Sequence, residues 1–444
     1  METIIIIVFL AGYLAITLEH NLKIDKLIPA LAMMAILWAI IALAHMDVFE
    51  VNAELRELEP THLDEILLHH LGKTAEILFF LLGAMTIVEI IDYFDGFATI
   101  KGFIRTKSKR KLLWLFSILA FILSAIIDNL TATIVLITIL QKVVKERETR
   151  LWFAGMIIIA ANAGGAWSPI GDVTTTMLWI ANKVSALQLI EHVLIPSIVC
   201  MVVPVLFAIR NKAFSGKIDG SLDEDGPKSK HGATMLYLGL GAIVFVPLFK
   251  TVTHLPPYVG MMLSLALVAT FAEIFSRTKF SISNIGGEGH DTVGHHSPLH
   301  YSLSKIELPS ILFFLGILLA VAALESLGML FHYAGSLNAA IPNSDIVVLL
   351  FGVGSAVIDN VPLVAASMGM FSEGLDNPLW HFIAYSAGTG GSMLIIGSAA
   401  GVVAMGMEKI DFFWYFKKIA WLALAGFLAG AATFILLRDF VLYA

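Results

Sequence analysis

Two stretches of the chain combine residue types that could do chemistry: Ser124-Ala-Ile-Ile-Asp128-Asn129 and Ser355-Ala-Val-Ile-Asp359-Asn360. Each sets an ionisable carboxylate beside an amide within strongly apolar sequence. A carboxylate at membrane depth is costly, so one that occurs twice is a functional hypothesis by default. Carboxylate, amide, hydroxyl and carbonyl oxygens are hard ligands, suited to Na⁺ or Li⁺ rather than to soft metals. Asp128, Asn129 and Asn162, with Thr131 or Thr133, are the candidates for one oxygen cage. Asp359, Asn360, Thr389 and Ser392 are candidates for a second or shared one. Low dielectric disfavours a charged carboxylate, so such an aspartate would take up a proton whenever no cation is bound. Cation and proton then compete for one group, which is the minimal machinery of exchange.

Further acidic residues surround this pair. Asp172, with Thr174 and Thr175, could tune proton affinity or carry a second proton; it is equally suited to capping a helix N-terminus. Glu89 and Asp92 sit late in the third apolar span, and Glu325 in its second-half counterpart. They are candidates for a proton route, with an interfacial structural role as the alternative for Asp92.

The elements that must position these groups are apolar helices. Of the 444 residues, 58% are hydrophobic and only 14% charged, and the mean hydropathy is +0.85. That composition excludes a soluble domain and predicts an all-α polytopic membrane protein. Spans are expected at about 3–19, 26–45, 73–96, 150–181, 184–209, 233–250, 257–276, 305–333, 379–406 and 412–441. Two further segments, about 112–141 and 345–373, break at Asp128-Asn129 and Asp359-Asn360. Each half of such a segment holds ~14 residues, or ~21 Å of helix, too short for a ~30 Å hydrocarbon core.

Charge predicts how these segments sit. The first is flanked by Lys101, Arg105, Lys107, Lys109, Arg110 and Lys111 on one side and by Lys142, Lys145, Arg147 and Arg150 on the other. Under the positive-inside rule both of its ends are cytoplasmic, which makes it a re-entrant hairpin with Asp128 at the tip. The second segment has no Lys or Arg in either flank and should enter from the opposite side. Threading the chain from these anchors leaves all but five of the 28 Lys and Arg residues in cytoplasmic loops, the exceptions being Arg56, Lys73, Lys183, Lys250 and Arg438. Both termini then face outward.

The halves also match beyond the hairpins. Ile77-Leu-Phe-Phe-Leu-Leu-Gly83 resembles Ile311-Leu-Phe-Phe-Leu-Gly316, and Ala161-Asn-Ala-Gly-Gly165 with Gly171 aligns with Ala387-Gly-Thr-Gly-Gly391 and Gly397. Each half holds five spans and one hairpin, and an odd span count turns the second half upside down. Charge and repeat thus agree on inverted repeats, 1–209 and 233–444, joined by a cytoplasmic linker at 210–232. In the span after each hairpin a Gly cluster interrupts the apolar run (Pro169 adds to the first). Unwinding there would free carbonyls to serve as cation ligands in a cavity, whereas close helix packing is the alternative.

Other features carry less. Cys200 excludes an internal disulfide, and no cleavable signal precedes Ile4–Leu18. The outer loop 46–72 is acidic, and Leu63–Leu71 reads as a short interfacial helix. His290, His295, His296 and His300 lie in a Gly- and Ser-rich cytoplasmic loop, which reads first as solvated sequence and second as a metal or pH sensor. Phe412-Phe-Trp-Tyr-Phe416 followed by Lys417-Lys418 reads as an interfacial anchor.

At the hairpin motifs, and at Ala161-Asn-Ala-Gly-Gly-Ala-Trp-Ser-Pro-Ile-Gly-Asp-Val-Thr-Thr175, the chain resembles the NhaD-type sodium/proton antiporters of the ion transporter superfamily. The resemblance covers essentially the whole chain. It implies Na⁺(Li⁺)/H⁺ exchange in a bacterial inner membrane, a homodimer, and elevator-like movement of a transport domain. It implicates Ser124, Asp128, Asn129, Asn162, Asp172, Thr174, Thr175, Ser355, Asp359, Asn360 and Ser392. No enzymatic activity, cofactor or nucleic-acid partner is expected. Dicarboxylate carriers of the same superfamily have Ser-Asn-Thr at the tips, and two aspartates there would repel an anion; arsenite, neutral at physiological pH, is less easily excluded. An aspartyl protease dyad would need Gly-x-Gly-Asp, where this chain has Pro-Ile-Gly-Asp172, and no duplicated Gly-rich spans.

Overall fold

The computed structural model describes residues 1–17, 22–52, 57–102, 104, 106–218, 230–283, 297–357 and 360–442. Asp359, the acidic centre of the linker and His290, His295 and His296 lie outside the described residues.

The described chain runs α1 (Glu2–Thr17), α2 (Leu27–Leu43), β1 (Val48–Asn52), β2 (Glu57–Thr61), α3 (Leu63–Tyr93), α4 (Ala98–Lys101), α5 (Lys109–Ile127), α6 (Asn129–Val143), α7 (Arg147–Ala166), α8 (Val173–Ile180) and α9 (Ala186–Ala208). It continues as α10 (Gly232–Thr253), α11 (Pro257–Ser283), α12 (Pro298–Lys305), α13 (Leu308–Ser326), α14 (Met329–Ala340), α15 (Ser344–Gly354), α16 (Asn360–Met370), α17 (Pro378–Gly390), α18 (Ala399–Glu408), α19 (Phe412–Lys418) and α20 (Ala420–Leu437). Among the described residues, seven helices are long and apolar enough to cross a membrane, and the chain is a multi-pass membrane protein.

Several boundaries differ from the sequence expectation. The short helix at Leu63–Leu71 does not stand apart but is continuous with the third span as α3, which runs straight through Gly72. The span expected at 305–333 divides into α13 and α14 at Gly328, whose φ of +69° turns the chain. The last span breaks at Ile419, leaving the aromatic anchor as the separate helix α19. The acidic loop 46–72 contains an antiparallel ribbon that pairs Val48 with Thr61 and Asn52 with Glu57. Most consequentially, α5 runs 19 residues to Ile127 rather than ~14, with Lys109, Arg110 and Lys111 forming its first turn. Alone it is long enough to cross a membrane; the arms of the second hairpin, α15 and α16, have 11 residues each.

The chain divides into two compact units that cut across the sequence halves. The first comprises Met1–Leu78, Lys107–Asp219 and Pro309–Ala444. Its core is the leading half of each interrupted span. Every residue of α7 from Leu151 to Ala166, and of α17 from Trp380 to Gly390, is buried. A helix apolar all round belongs in a core, and these two are surrounded by other helices on every side. Small residues bring neighbours close: a Cβ on Gly426 would lie 2.4 Å from the Cys200 carbonyl oxygen, so α9 and α20 meet backbone to backbone. Tyr385 donates its hydroxyl to the Phe427 carbonyl at 2.7 Å, fixing α17 to α20, and the Trp38 indole donates to the Leu319 carbonyl at 2.9 Å, fixing α2 to α13.

The second unit comprises Phe79–Thr106 and Gly220–Leu308. In it α10 and α11 pack together, Ser264 donating to the Ala242 carbonyl at 2.7 Å, and Tyr93 stands 5.3 Å from Tyr301.

Candidate ion site

The first hairpin returns to its starting point. Lys109, at the head of α5, donates to Glu146 at 2.9 Å and to Thr149 at 3.1 Å, just beyond the end of α6. The base is therefore basic and closed, and Asp128 stands at the far tip.

Each hairpin is fastened to its interrupted span by the same contacts. Ser124 donates to the Ala161 carbonyl at 2.5 Å, and Ser355, 231 residues later, donates to the Ala387 carbonyl at 2.9 Å. A Cβ on Gly164 would sit 2.2 Å from the Phe121 carbonyl oxygen; on Gly390 it would sit 2.0 Å from that of Gly352. Only glycine permits either approach. The chain then leaves each helix and re-enters the next with matching backbone, φ −148° and ψ 150° at Asp172 against φ −146° and ψ 153° at Ser398. Ser124 and Ser355 thus act as fasteners that position the tips.

At the first tip, Asp128 has φ 80° and ψ 161°, a region essentially reserved for glycine and costing about 1–3 kcal/mol. Its carboxylate accepts from the Thr131 backbone N–H at 2.7 Å and from the Thr131 hydroxyl at 2.9 Å. The strained conformation holds the carboxylate over the N-terminus of α6, where the helix dipole favours negative charge. Beside it, Asn129 donates to Asn162 Oδ1 at 3.4 Å. Asn162, wholly buried, donates to the Ile158 carbonyl at 2.9 Å and to the Ser398 hydroxyl at 3.1 Å. Tip, first interrupted span and second interrupted span meet at this one amide.

The second tip meets a different partner. Asn360 donates to Asp172 Oδ2 at 2.9 Å, and Thr174 donates to the same oxygen at 2.9 Å. Asp172 occupies the N-cap position of α8 without making a side-chain cap bond, so the capping alternative does not hold. Ser398, at the equivalent place, does cap α18 by accepting from the Gly401 N–H at 3.3 Å. The reason is local volume. Where the first half has Asn162, the second has Gly388, and a Cβ there would lie 3.8 Å from Asp172 Oδ2. The missing side chain leaves room for Asp172, which is 4% exposed, to turn away from its own helix toward Asn360.

The remaining candidates divide. Thr175 donates to the Asp172 carbonyl at 2.9 Å and stabilises the first turn of α8. Thr389 donates to the Tyr385 carbonyl at 2.6 Å and Ser392 to the Thr389 carbonyl at 2.7 Å, so both hydroxyl protons are committed to the end of α17. Of the two candidate threonines on α6, Thr131 engages Asp128 whereas Thr133 is buried and engages nothing among the described residues. Glu325 lies against α16: its Oε2 is 3.3 Å from where a Cβ on Gly369 would be. Lys183 is within electrostatic reach of Glu325, and its ammonium stands 4.7 Å above the Trp380 ring. Burial holds the Lys183 pKa below the usual lysine range, against the opposing pull of Glu325. Glu89 and Asp92 belong to the other compact unit, with Lys305 as the cation near Glu89.

Two polar pairs escaped the sequence reading. Arg150 Nε lies 3.1 and 3.0 Å from the two carboxylate oxygens of Glu408, joining the start of α7 to the end of α18. At the opposite ends of the paired spans, Asp376 accepts from the Ser185 N–H at 2.6 Å and donates its own N–H to the Lys183 carbonyl at 2.9 Å. The only available signal was a charged residue at the margin of an apolar run, and that does not name a partner.

The citrate-transporter family CitMHS matches residues 3–380. Sodium/proton antiporter 1 of Arabidopsis thaliana is 41% identical over 98% of this chain and 72% of its own length. The Na⁺/H⁺ antiporter NhaD of Vibrio cholerae is 30% identical over 90% of this chain and 84% of its own. Among solved structures, the YdaH transporter of Alcanivorax borkumensis superposes with a TM-score of 0.55 over 93% of this chain and 97% of the other, at 13% identity. That likeness speaks for the fold alone.

Proposed function

This chain belongs to the sodium/proton antiporter branch of the citrate-transporter family, and on that premise we propose that it exchanges Na⁺ or Li⁺ for protons by alternating access. One observation carries the reading. Two hairpin tips, each offering an amide beside an aspartate, are fastened to interrupted helices around a buried carboxylate. Asp128, Asn129 and Asn162 form the first oxygen set, and Asp359, Asn360 and Asp172 the second, with Thr174 orienting Asp172. Protons and cations compete for these carboxylates, so a site that has released its cation returns carrying protons. Thr389 and Ser392 contribute through their oxygen lone pairs, and Glu325 beside α16 is a relay between the second tip and the surface.

The same reading covers the architecture. The two halves, 1–209 and 233–444, are inverted repeats around the cytoplasmic linker 210–232, both termini face outward, and the protein works as a homodimer in a bacterial inner membrane. The sidedness is supported by contacts between segments that the charge pattern puts on one side. Lys109 meets Glu146, both flanking the first hairpin, and Arg150 meets Glu408, the neighbour of cytoplasmic Lys409. Outward Arg438 meets Asp345, at the foot of the second hairpin, at 2.6 Å. An anion carrier is disfavoured by Asp172, which would add a further negative charge where a carboxylate substrate must lie.

Proton flux in proteoliposomes tests this. Acid-loaded vesicles should release protons on addition of Na⁺ or Li⁺, and not on addition of succinate or arsenite. Indifference to both cations, with uptake of succinate or movement of arsenite, would leave the fold standing and overturn the substrate.

A further inference from the structure

Thr133 differs from its helix neighbours Asn129 and Thr131, which both make side-chain hydrogen bonds. It is 0% exposed, and its hydroxyl has no hydrogen-bond partner among the described residues. A helical threonine ordinarily donates to the carbonyl four residues back, as Thr138 does to Ile134 at 2.8 Å in this same helix. The helix therefore does not impose the unsatisfied hydroxyl. Leaving it buried costs free energy that an isosteric valine would not. The second hairpin has that valine: Val364, 231 residues on, is also 0% exposed. The fold accepts a methyl at this position, and only one half keeps the oxygen.

Its place suggests the use. Thr133 lies four residues after Asn129, on the same face of α6 and about 6 Å nearer the basic base of the hairpin. Asn129 on that face reaches Asn162, and Asn162 reaches Ser398. Besides its hairpin partner α5, the helices that pack against α6 are α7 and α18, the first carrying Asn162 and the second opening at Ser398. A hydroxyl oxygen with free lone pairs, one turn from two amides, suits a dehydrated alkali cation.

We propose that Thr133 Oγ1 is a ligand of the transported cation, taking it over from Asn129 as it passes between the tip and the basic side of the first hairpin. This deepens the exchange reading above and rests on it. The hydroxyl then distinguishes the two halves, since the Val364 side offers no such step.

Purified wild type, Thr133→Val and Thr133→Ser would be compared for Na⁺-dependent proton flux and for thermal unfolding with and without Na⁺. Thr133→Val should raise the KM for Na⁺ about tenfold with little change in maximal rate, the pattern of a lost uniform contact. It should also shrink the Na⁺-induced rise in Tm while leaving the Na⁺-free Tm equal or higher. Thr133→Ser should restore both. A KM within about twofold of wild type, or a Na⁺-free Tm that falls in Thr133→Val, would overturn the proposal, the latter because the hydroxyl would then serve the protein. Wild type without Na⁺-driven flux would remove the exchange reading together with this one. Normal wild-type exchange beside an unaltered variant would remove the ligand alone.

Discussion

The two hairpin tips share a frame and differ in what they do with it. Serine fasteners, glycine contacts and re-entry backbone recur at both, yet the polar groups inside are distributed unequally. The first half has a large amide at Asn162 facing a small Ser398; the second has no side chain at Gly388 and a carboxylate at Asp172 instead. Size is exchanged across the pseudo-repeat, so the packing is conserved while the charge moves to one side. Thr133 against Val364 repeats the lesson with one oxygen. A duplicated scaffold supplies geometry twice, and substitutions that compensate in volume let each copy take different chemistry.

The sharpest way to break this comparison is at the tip carboxylates. Asp128→Asn and Asp359→Asn should each abolish exchange, by at least about a hundredfold, with the protein still folded by thermal unfolding. Full exchange retained in both would remove the tips from the site. If one alone were tolerated, the halves would be more unequal than the described contacts imply.

The fasteners should behave alike. Gly164→Ala and Gly390→Ala each force a methyl against a backbone carbonyl at 2.2 and 2.0 Å, and backbone cannot yield as a side chain would. Each should cost about 3 kcal/mol or more, visible as a lower Tm. A mild effect in one and a severe effect in the other would show that the frames are not equivalent.

The smallest effect concerns the closed base of the first hairpin. Glu146 accepts from Lys109 and Thr149, and these bonds hold its carboxyl below the usual glutamate range. A depressed pKa contributes stability above the ordinary glutamate pKa and loses it as pH falls through the lowered value. Acidification should therefore lower the Tm slightly more in wild type than in Glu146→Gln, and equal slopes would refute the linkage. The pair is exposed to solvent, so the difference should be slight and shrink further in high salt.

Much of this arrangement was legible in the chain itself. Runs of about twenty apolar residues mark spans because the bilayer has a fixed thickness, and Asp128-Asn129 stood out because charge inside such a run is expensive. The Gly clusters at 164–171 and 390–397 marked the interruptions, since glycine is the residue that tolerates leaving a helix beside another backbone. What failed were extents and partners. Basic residues at the head of α5 extend it into a full-length helix, because long cationic side chains can lie along a helix and still reach polar surroundings. The ribbon in the acidic loop went unseen because Val48–Asn52 and Glu57–Thr61 are short and only weakly alternating.

By itself, the sequence determined a polytopic helical membrane protein, the recurrence of its Asp-Asn motif in the second half and the family to which the chain belongs. These follow from local quantities: hydropathy, charge in apolar sequence, and residue identity at an offset. Tertiary structure alone decided that Asp172 turns to Asn360 rather than capping α8, that Asn162 links a tip to Ser398, that Arg150 finds Glu408, and that Thr133 has no hydrogen-bond partner among the described residues. Each depends on which side chain fills the space left by another more than 180 residues away, or by none, and such complementarity exists only once the two halves have packed together.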